Sequence, residues 1–147
     1  MKKTIALLLT LVFALSLAGC GSQPAPKSGK AVIEPQSGEW MAEFTIELKS
    51  GKTENWKIYF DVSDDGKTVP TVQLIHYIGD QTPQSVLLLR KDPSINNNFF
   101  EFSLTEYVSY STYNYEGSVT FTSSKEADVL LNIYGDDYQL TVVPVTG

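Results

Sequence analysis

Trp56-Lys57-Ile58-Tyr59-Phe60-Asp61-Val62, running into Ser63-Asp64-Asp65-Gly66-Lys67, decides the fold class of this chain. Trp56, Ile58, Phe60 and Val62 alternate with Lys57, Tyr59 and Asp61. Successive side chains of an extended backbone point to opposite faces, so this is a strand with one buried face. The polar Asp-Asp-Gly run that follows supplies turn chemistry, and the chain must then reverse.

The same grammar extends outward in both directions. Upstream, Trp40, Ala42, Phe44, Ile46 and Leu48 alternate with Met41, Glu43, Thr45 and Glu47. Downstream, Phe100, Phe102 and Leu104 alternate with Glu101 and Ser103, and Val129, Leu131 and Ile133 share one face. Tyr138, Leu140 and Val142 do the same before Pro144. Val69–Ile78 is less regular, Val86–Leu89 is a continuous apolar run, and Gly117–Thr122 is shorter. Pro70 marks a strand start or an edge. Lys49-Ser50-Gly51-Lys52, Ser123-Ser124-Lys125-Glu126 and Gly135-Asp136-Asp137 fill the gaps with turn residues. No segment sustains helical periodicity with caps, and no internal repeat is visible. The sequence therefore predicts an all-β domain over residues 38–147, an antiparallel β-sandwich of about eight short strands. A small lipocalin-like barrel is the alternative.

The N-terminus has a different character. Lys2 and Lys3 precede an apolar run from Thr4 to Leu15, and small residues then lead to Leu17-Ala18-Gly19-Cys20. The apolar run is too short to span a bilayer and has the layout of a secretory signal. Its end resembles the lipobox of bacterial lipoproteins, with all four positions matched. The resemblance covers residues 1–20 and implies export, diacylglyceryl transfer to the Cys20 sulfur, and cleavage that makes Cys20 the first mature residue. Acylation of the new amine, palmitate being one such chain, completes a stable anchor, because one acyl chain binds membranes only marginally. Residues 1–19 are then the signal peptide, and residues 20–37, rich in proline, glycine, serine and lysine, a flexible tether. A coil of this length spans on the order of 20–25 Å. Val32 and Ile33, at its end, are apolar enough to pack on the body.

Composition excludes several functions. The chain has 17 acidic and 11 basic side chains. Every acid except Glu34 falls in the body, whereas Lys2, Lys3, Lys27 and Lys30 precede it. A strongly acidic domain without a basic stripe does not bind nucleic acid. It is also repelled by anionic headgroups, so the lipid must hold it at the membrane. Cys20 is the single cysteine, which leaves no disulfide, no thiol catalyst and no cysteine–metal site.

The order of the body's features resembles a small β domain that recurs in bacterial envelope proteins. It opens with Gly38 and Trp40, runs Ile58–Val62 into the Asp-Gly turn, approaches a phenylalanine strand through Ile95-Asn96-Asn97-Asn98-Phe99-Phe100, and continues in a Gly-x-Val-x-Phe strand, Gly117–Phe121. Such domains have no settled activity, so the resemblance implies a fold and a location only. Gly38-Glu39-Trp40 is also similar to the Gly-x-Trp of lipocalins, which implies a tryptophan closing one end of a ligand-holding barrel.

Candidate chemistry is sparse. Asp61-Val62-Ser63-Asp64-Asp65-Gly66 copies the opening of a calcium loop, but the position that needs a bidentate acid is Val72. It reads as a hairpin connection, and no metal or cofactor is expected. His76 is the only histidine. It lacks a Gly-x-Ser-x-Gly context and cannot build a multi-histidine metal centre, so the chain is expected not to be an enzyme. A hydrolase would instead place a serine or acid beside His76 in a cleft. The segment Glu106–Glu116 concentrates Tyr107, Tyr110, Tyr113 and Tyr115 among serine, threonine and asparagine. Tyrosine combines apolar area with a hydroxyl, as in recognition loops. These four residues form the candidate binding surface, with a glycan, a peptide or an envelope protein as candidate partners. The competing reading is a strand pair whose tyrosines pack at a sheet edge. A third possibility, a carrier of a small apolar ligand, requires an interior left open, whereas Trp40, Phe44, Trp56, Phe60, Phe100 and Phe102 are expected to fill it.

Overall fold

The computed structural model describes residues 31–78, 82–89 and 92–146. The signal segment, Cys20 and the first part of the tether lie outside the described residues. The body is built from eight strands: β1 (Gly38–Glu47), β2 (Thr53–Val62), β3 (Thr71–Ile78), β4 (Thr82–Leu88), β5 (Phe99–Val108), β6 (Ser111–Ser123), β7 (Glu126–Ile133) and β8 (Asp136–Pro144). Neighbours in sequence pair antiparallel, and β1 also pairs with β8, giving the order β4-β3-β2-β1-β8-β7-β6-β5.

The chain is thus all-β and antiparallel. Its two four-stranded meanders join into one sheet through Trp40↔Pro144 and Met41↔Val143. The bond from Val145 N–H to the Glu39 carbonyl, 2.7 Å, extends this junction. The sheet curls until its edges, β4 and β5, approach each other, so the arrangement is nearly a closed barrel.

The period-two pattern explains the interior. Trp40, Trp56, Ile58, Phe60, Val72, Leu74, Phe100, Leu104, Val119, Phe121, Val129, Leu131 and Val142 are all buried. Phe44 is only partly buried and packs against this core. Rings from opposite walls meet across the inside. Trp40 stacks on Phe60 at 5.8 Å, and Phe121 meets Trp40 edge-on at 5.2 Å. Phe60 also meets Phe100 edge-on at 5.5 Å. Gly117 is required here, because a Cβ at that position would stand 2.3 Å from the Phe102 ring lying over it. The middle of the barrel is filled.

The two ends of the barrel differ. At the lower end, where β1 begins and β2 finishes, segments 63–70 and 92–98 are hydrogen-bonded to each other. Val69 N–H donates to the Pro93 carbonyl at 2.9 Å, and Ile95 N–H to that of Lys67 at 2.7 Å. Residues 32–37 lie across this end, so the packed body begins before Gly38. Ile33 N–H donates to Asn98 Oδ1 at 2.7 Å, Gln36 N–H to the Ser124 carbonyl at 2.8 Å, and the Trp40 indole to the Gln36 carbonyl at 2.9 Å. Pro35 is buried. Val32 itself stays exposed. The Asp61–Gly66 segment belongs to this end as a turn, with Asp65 Oδ1 accepting from Ser63 Oγ and Lys67 N–H. These bonds hold the exposed Asp65 carboxyl below its usual range, and Val72 is buried in the core.

Candidate functional site

At the upper end, β5–β6 and β7–β8 are joined by two-residue turns, Ser109-Tyr110 and Tyr134-Gly135. Turns this short cannot fold back over the opening. The result is an open-mouthed concavity of about 570 Å³, within the range of small-molecule sites. Its walls include Glu54, His76, Gln84, Glu106, Val108, Tyr113, Tyr115, Tyr134 and Tyr138, with Glu47, Leu48, Lys49, Ser50 and Asp136 at the rim.

The floor is an aromatic cluster. His76 on β3 stands directly opposite Trp56 on β2, and the two rings stack at 4.4 Å with only 3° between their planes. Trp56 meets Tyr115 at 5.8 Å and Tyr134 at 6.1 Å. Tyr134 in turn meets Tyr113 and Tyr115 steeply, at 81° and 62°. Two carboxylates are fixed against these rings. Glu54 Oε2 accepts from the Trp56 indole at 3.2 Å and lies 3.3 Å from His76 Nε2. Glu106 Oε2 accepts from the Tyr115 hydroxyl at 2.8 Å. Burial, and then the bond to Glu106, push the Tyr115 hydroxyl far above its ordinary value. Burial and the nearby Glu54 charge raise that of Tyr134 as well. Both hydroxyls therefore stay neutral at physiological pH, and that of Tyr115 donates to Glu106.

Two backbone irregularities shape the site. The β3–β4 register shifts between His76 and Tyr77, leaving Gln84 as the extra residue at the wall. Bulges of this kind re-aim side chains and favour active and binding sites. Tyr134 has φ 55°, in the left-handed region, and Gly135 follows at φ 88°. A type I′ turn needs this geometry, but Asn, Asp or Gly adopts the first position far more readily than Tyr. A strained residue that the fold retains points to a use for its side chain. Here that side chain covers Trp56 and Tyr115.

The four tyrosines singled out from the sequence do not form one surface. They lie on a strand pair, the β5–β6 hairpin. Tyr113 and Tyr115 share the inward face of β6. Tyr113, 41% exposed, lines the mouth, and Tyr115, 1% exposed, lies at the floor. Tyr107 points to the outer face at 80% exposure, and Tyr110 projects fully from the tip. Period two assigns Tyr107 opposite Thr112 and Glu106 opposite Tyr113, so the neighbours split between faces. Glu54, Glu106, Tyr134 and the site role of His76 were missed. The left-handed demand at Tyr134, one position before Gly135, was the one available signal.

An acid does stand beside His76 in a cleft, and Ser85 is its register partner on β4. The Ser85 Oγ is buried and makes no hydrogen bond. A serine nucleophile needs a hydrogen bond to its imidazole base. No such bond joins Ser85 to His76, whose Nε2 faces Glu54. Among the described residues, no group of three or more His, Cys, Asp or Glu side chains could hold a metal ion. A second depression, about 620 Å³, lies on the outer face of β5–β7 around Gly117. It is shallow, and no aromatic cluster or buried polar pair converges on it.

No protein-family model matches the chain, and neither curated proteins nor solved structures give a significant match.

Proposed function

We propose that this protein is a lipid-anchored lipoprotein of the cell envelope and that its β domain is a non-catalytic binding module whose ligand enters the upper mouth of the barrel. The observation that carries this reading is the open cavity where ring faces, two fixed carboxylates and a strained Tyr134 converge on one rigid end. Location rests on the lipobox, Leu17-Ala18-Gly19-Cys20. The packed chain begins at the lower end, across residues 32–37. The apolar-carrier alternative is less well supported, because the aromatic rings fill the interior and leave room only at the mouth.

Anchoring is tested by phase partitioning: Cys20→Ser is expected to lose the detergent phase or to accumulate as precursor. Equal partitioning of Cys20→Ser and the natural chain removes the anchor. Binding is tested by thermal shift and tryptophan emission against a library of small envelope glycans, peptides and metabolites. Ligands of the module are expected to lose their effect in Tyr113→Ala and Tyr134→Ala. Effects that persist in both variants place binding elsewhere.

A further inference from the structure

The cavity also carries information about the charge of what it holds. Its exposed rings are Tyr113 and Tyr134, inclined at 81° to each other, with the buried Tyr115 packed against Tyr134 beneath them, so two ring surfaces of different orientation border the space. A ring face is electrically negative and attracts a cation, most strongly where water is excluded. Glu54 and Glu106 add full negative charge against these rings. Their bound donors are an indole N–H, an imidazole and a phenol, and neither makes an ion pair with a lysine or arginine among the described residues. Among the described residues, Lys49 is the one lysine or arginine lining the mouth, and it forms no ion pair with them. The donors hold each carboxylate in a fixed orientation, and the one among them that can carry positive charge is the His76 imidazole, at Glu54 and not at Glu106. An anionic ligand would meet like charge from the two carboxylates, whereas a cationic one is complementary to them.

We infer that the upper cavity binds a small organic ammonium compound, with the cation seated between the tyrosine rings and Glu54 and Glu106. This rests on the reading of the upper end as a binding site and names the class of ligand. The volume exceeds what the cation alone occupies, so the ligand carries further bulk toward Val108 and Tyr138.

The test compares choline with its neutral carbon isostere, in which a tert-butyl group replaces trimethylammonium. Both are titrated into the full-length protein in an uncharged detergent, following tryptophan emission and melting temperature. Choline is expected to bind roughly tenfold or more tightly than the isostere, the ratio that a cation–ring interaction supplies. Glu106→Gln and Tyr113→Leu are each expected to weaken choline by a similar factor. Melting temperatures without ligand identify any variant that is merely unfolded. Equal affinity for the two compounds, or no binding of choline, overturns the inference. If neutral or anionic library compounds bind and are lost in Tyr113→Ala, the binding site stands and only its preference for cations falls. If nothing binds in a Tyr113- and Tyr134-dependent way, the site itself falls.

Discussion

The lower and upper ends of this barrel are made by the same eight strands and reach opposite outcomes. At the lower end, Trp40, Phe60, Phe100 and Phe121 pack ring on ring, with a single polar atom, the Trp40 indole nitrogen, bonded to the Gln36 carbonyl. Long connections and residues 32–37 cover it with backbone hydrogen bonds. At the upper end, Trp56, His76, Tyr113, Tyr115 and Tyr134 form a second ring cluster, but Trp56, His76 and Tyr115 each carry a polar group paired with another side chain. Of these rings Tyr113 and Tyr134 are exposed, beside the two-residue turns Ser109-Tyr110 and Tyr134-Gly135. An end of this barrel is sealed where long connections and a preceding segment lie across it, even though the β6–β7 turn there, Ser124-Lys125, is itself only two residues long. A long connection can supply backbone donors and acceptors to cover the opening, whereas a two-residue turn uses its own in closing the hairpin.

The sharpest way to break the contrast is to remove the seal's packing. Phe60→Ala takes away the ring that touches Trp40, Phe100 and Phe121. It is expected to cost about 3–5 kcal/mol, as for other buried aromatic truncations. Urea unfolding checks this, and a loss under about 1 kcal/mol would mean the lower cluster is not the core.

A smaller effect is expected from unfastening the cover. Asn98→Ala removes the acceptor of the Ile33 N–H and places alanine at φ 68°. The combination is expected to cost about 2 kcal/mol. Hydrogen exchange of the Ile33 amide should accelerate, while His76 and Tyr115 at the other end keep their protection. Equal acceleration at both ends would show that the two are one cooperative unit.

Alkaline pH sharpens the comparison from the upper side. Burial raises the Tyr115 hydroxyl, and burial with Glu39 pushes that of Tyr59 up to about 12. A raised folded-state value means that the fold favours the neutral phenol. The stability this contributes is complete below pH 10.0, the ordinary value, and is lost as pH rises from there through the folded-state value. Urea midpoints measured on either side of pH 10.0 are expected to fall, and to fall less steeply in Tyr115→Phe. An unchanged slope in that variant would remove Tyr115 as a contributor.

The smallest stability change is expected at Tyr134→Asn. Asparagine relieves left-handed strain of about 1–2 kcal/mol, which offsets ring contacts of about 0.5–1.5 kcal/mol. Stability should therefore remain within about 1 kcal/mol of the natural chain while ligand effects at the mouth are lost. A large loss of stability would make Tyr134 a structural residue instead.

Much of the fold was legible from the chain alone, and the reason is local. Trp56, Ile58, Phe60 and Val62 share a face because extended backbone repeats every two residues, whatever the strand pairs with. The turns at 63–67, 49–52 and 123–126 were readable from residue chemistry for the same reason, whereas the last, expected at 135–137, is Tyr134-Gly135, with Asp136 and Asp137 already paired in β8. Less was legible where that period had no apolar partner. β6 starts at Ser111, earlier than Gly117, because its first residues carry polar and tyrosine side chains at an open end rather than core residues. Residues 32–37, rich in polar and proline residues, read as tether. They are packed because Asn98, 65 positions away from Ile33, supplies the acceptor.

The sequence by itself determined the all-β class, the inward face of most strands, most turn positions and the single cysteine at Cys20. Only the tertiary structure decided that β1 meets β8 and that one end is covered while the other is open. It alone brought Glu54, His76, Glu106, Tyr113, Tyr115 and Tyr134 to one mouth from β2, β3, β5, β6 and the β7–β8 turn. Alternation fixes which face a side chain occupies. Which strands stand side by side, and which ends they share, depends on contacts between residues far apart in the chain, and those leave no local period to read.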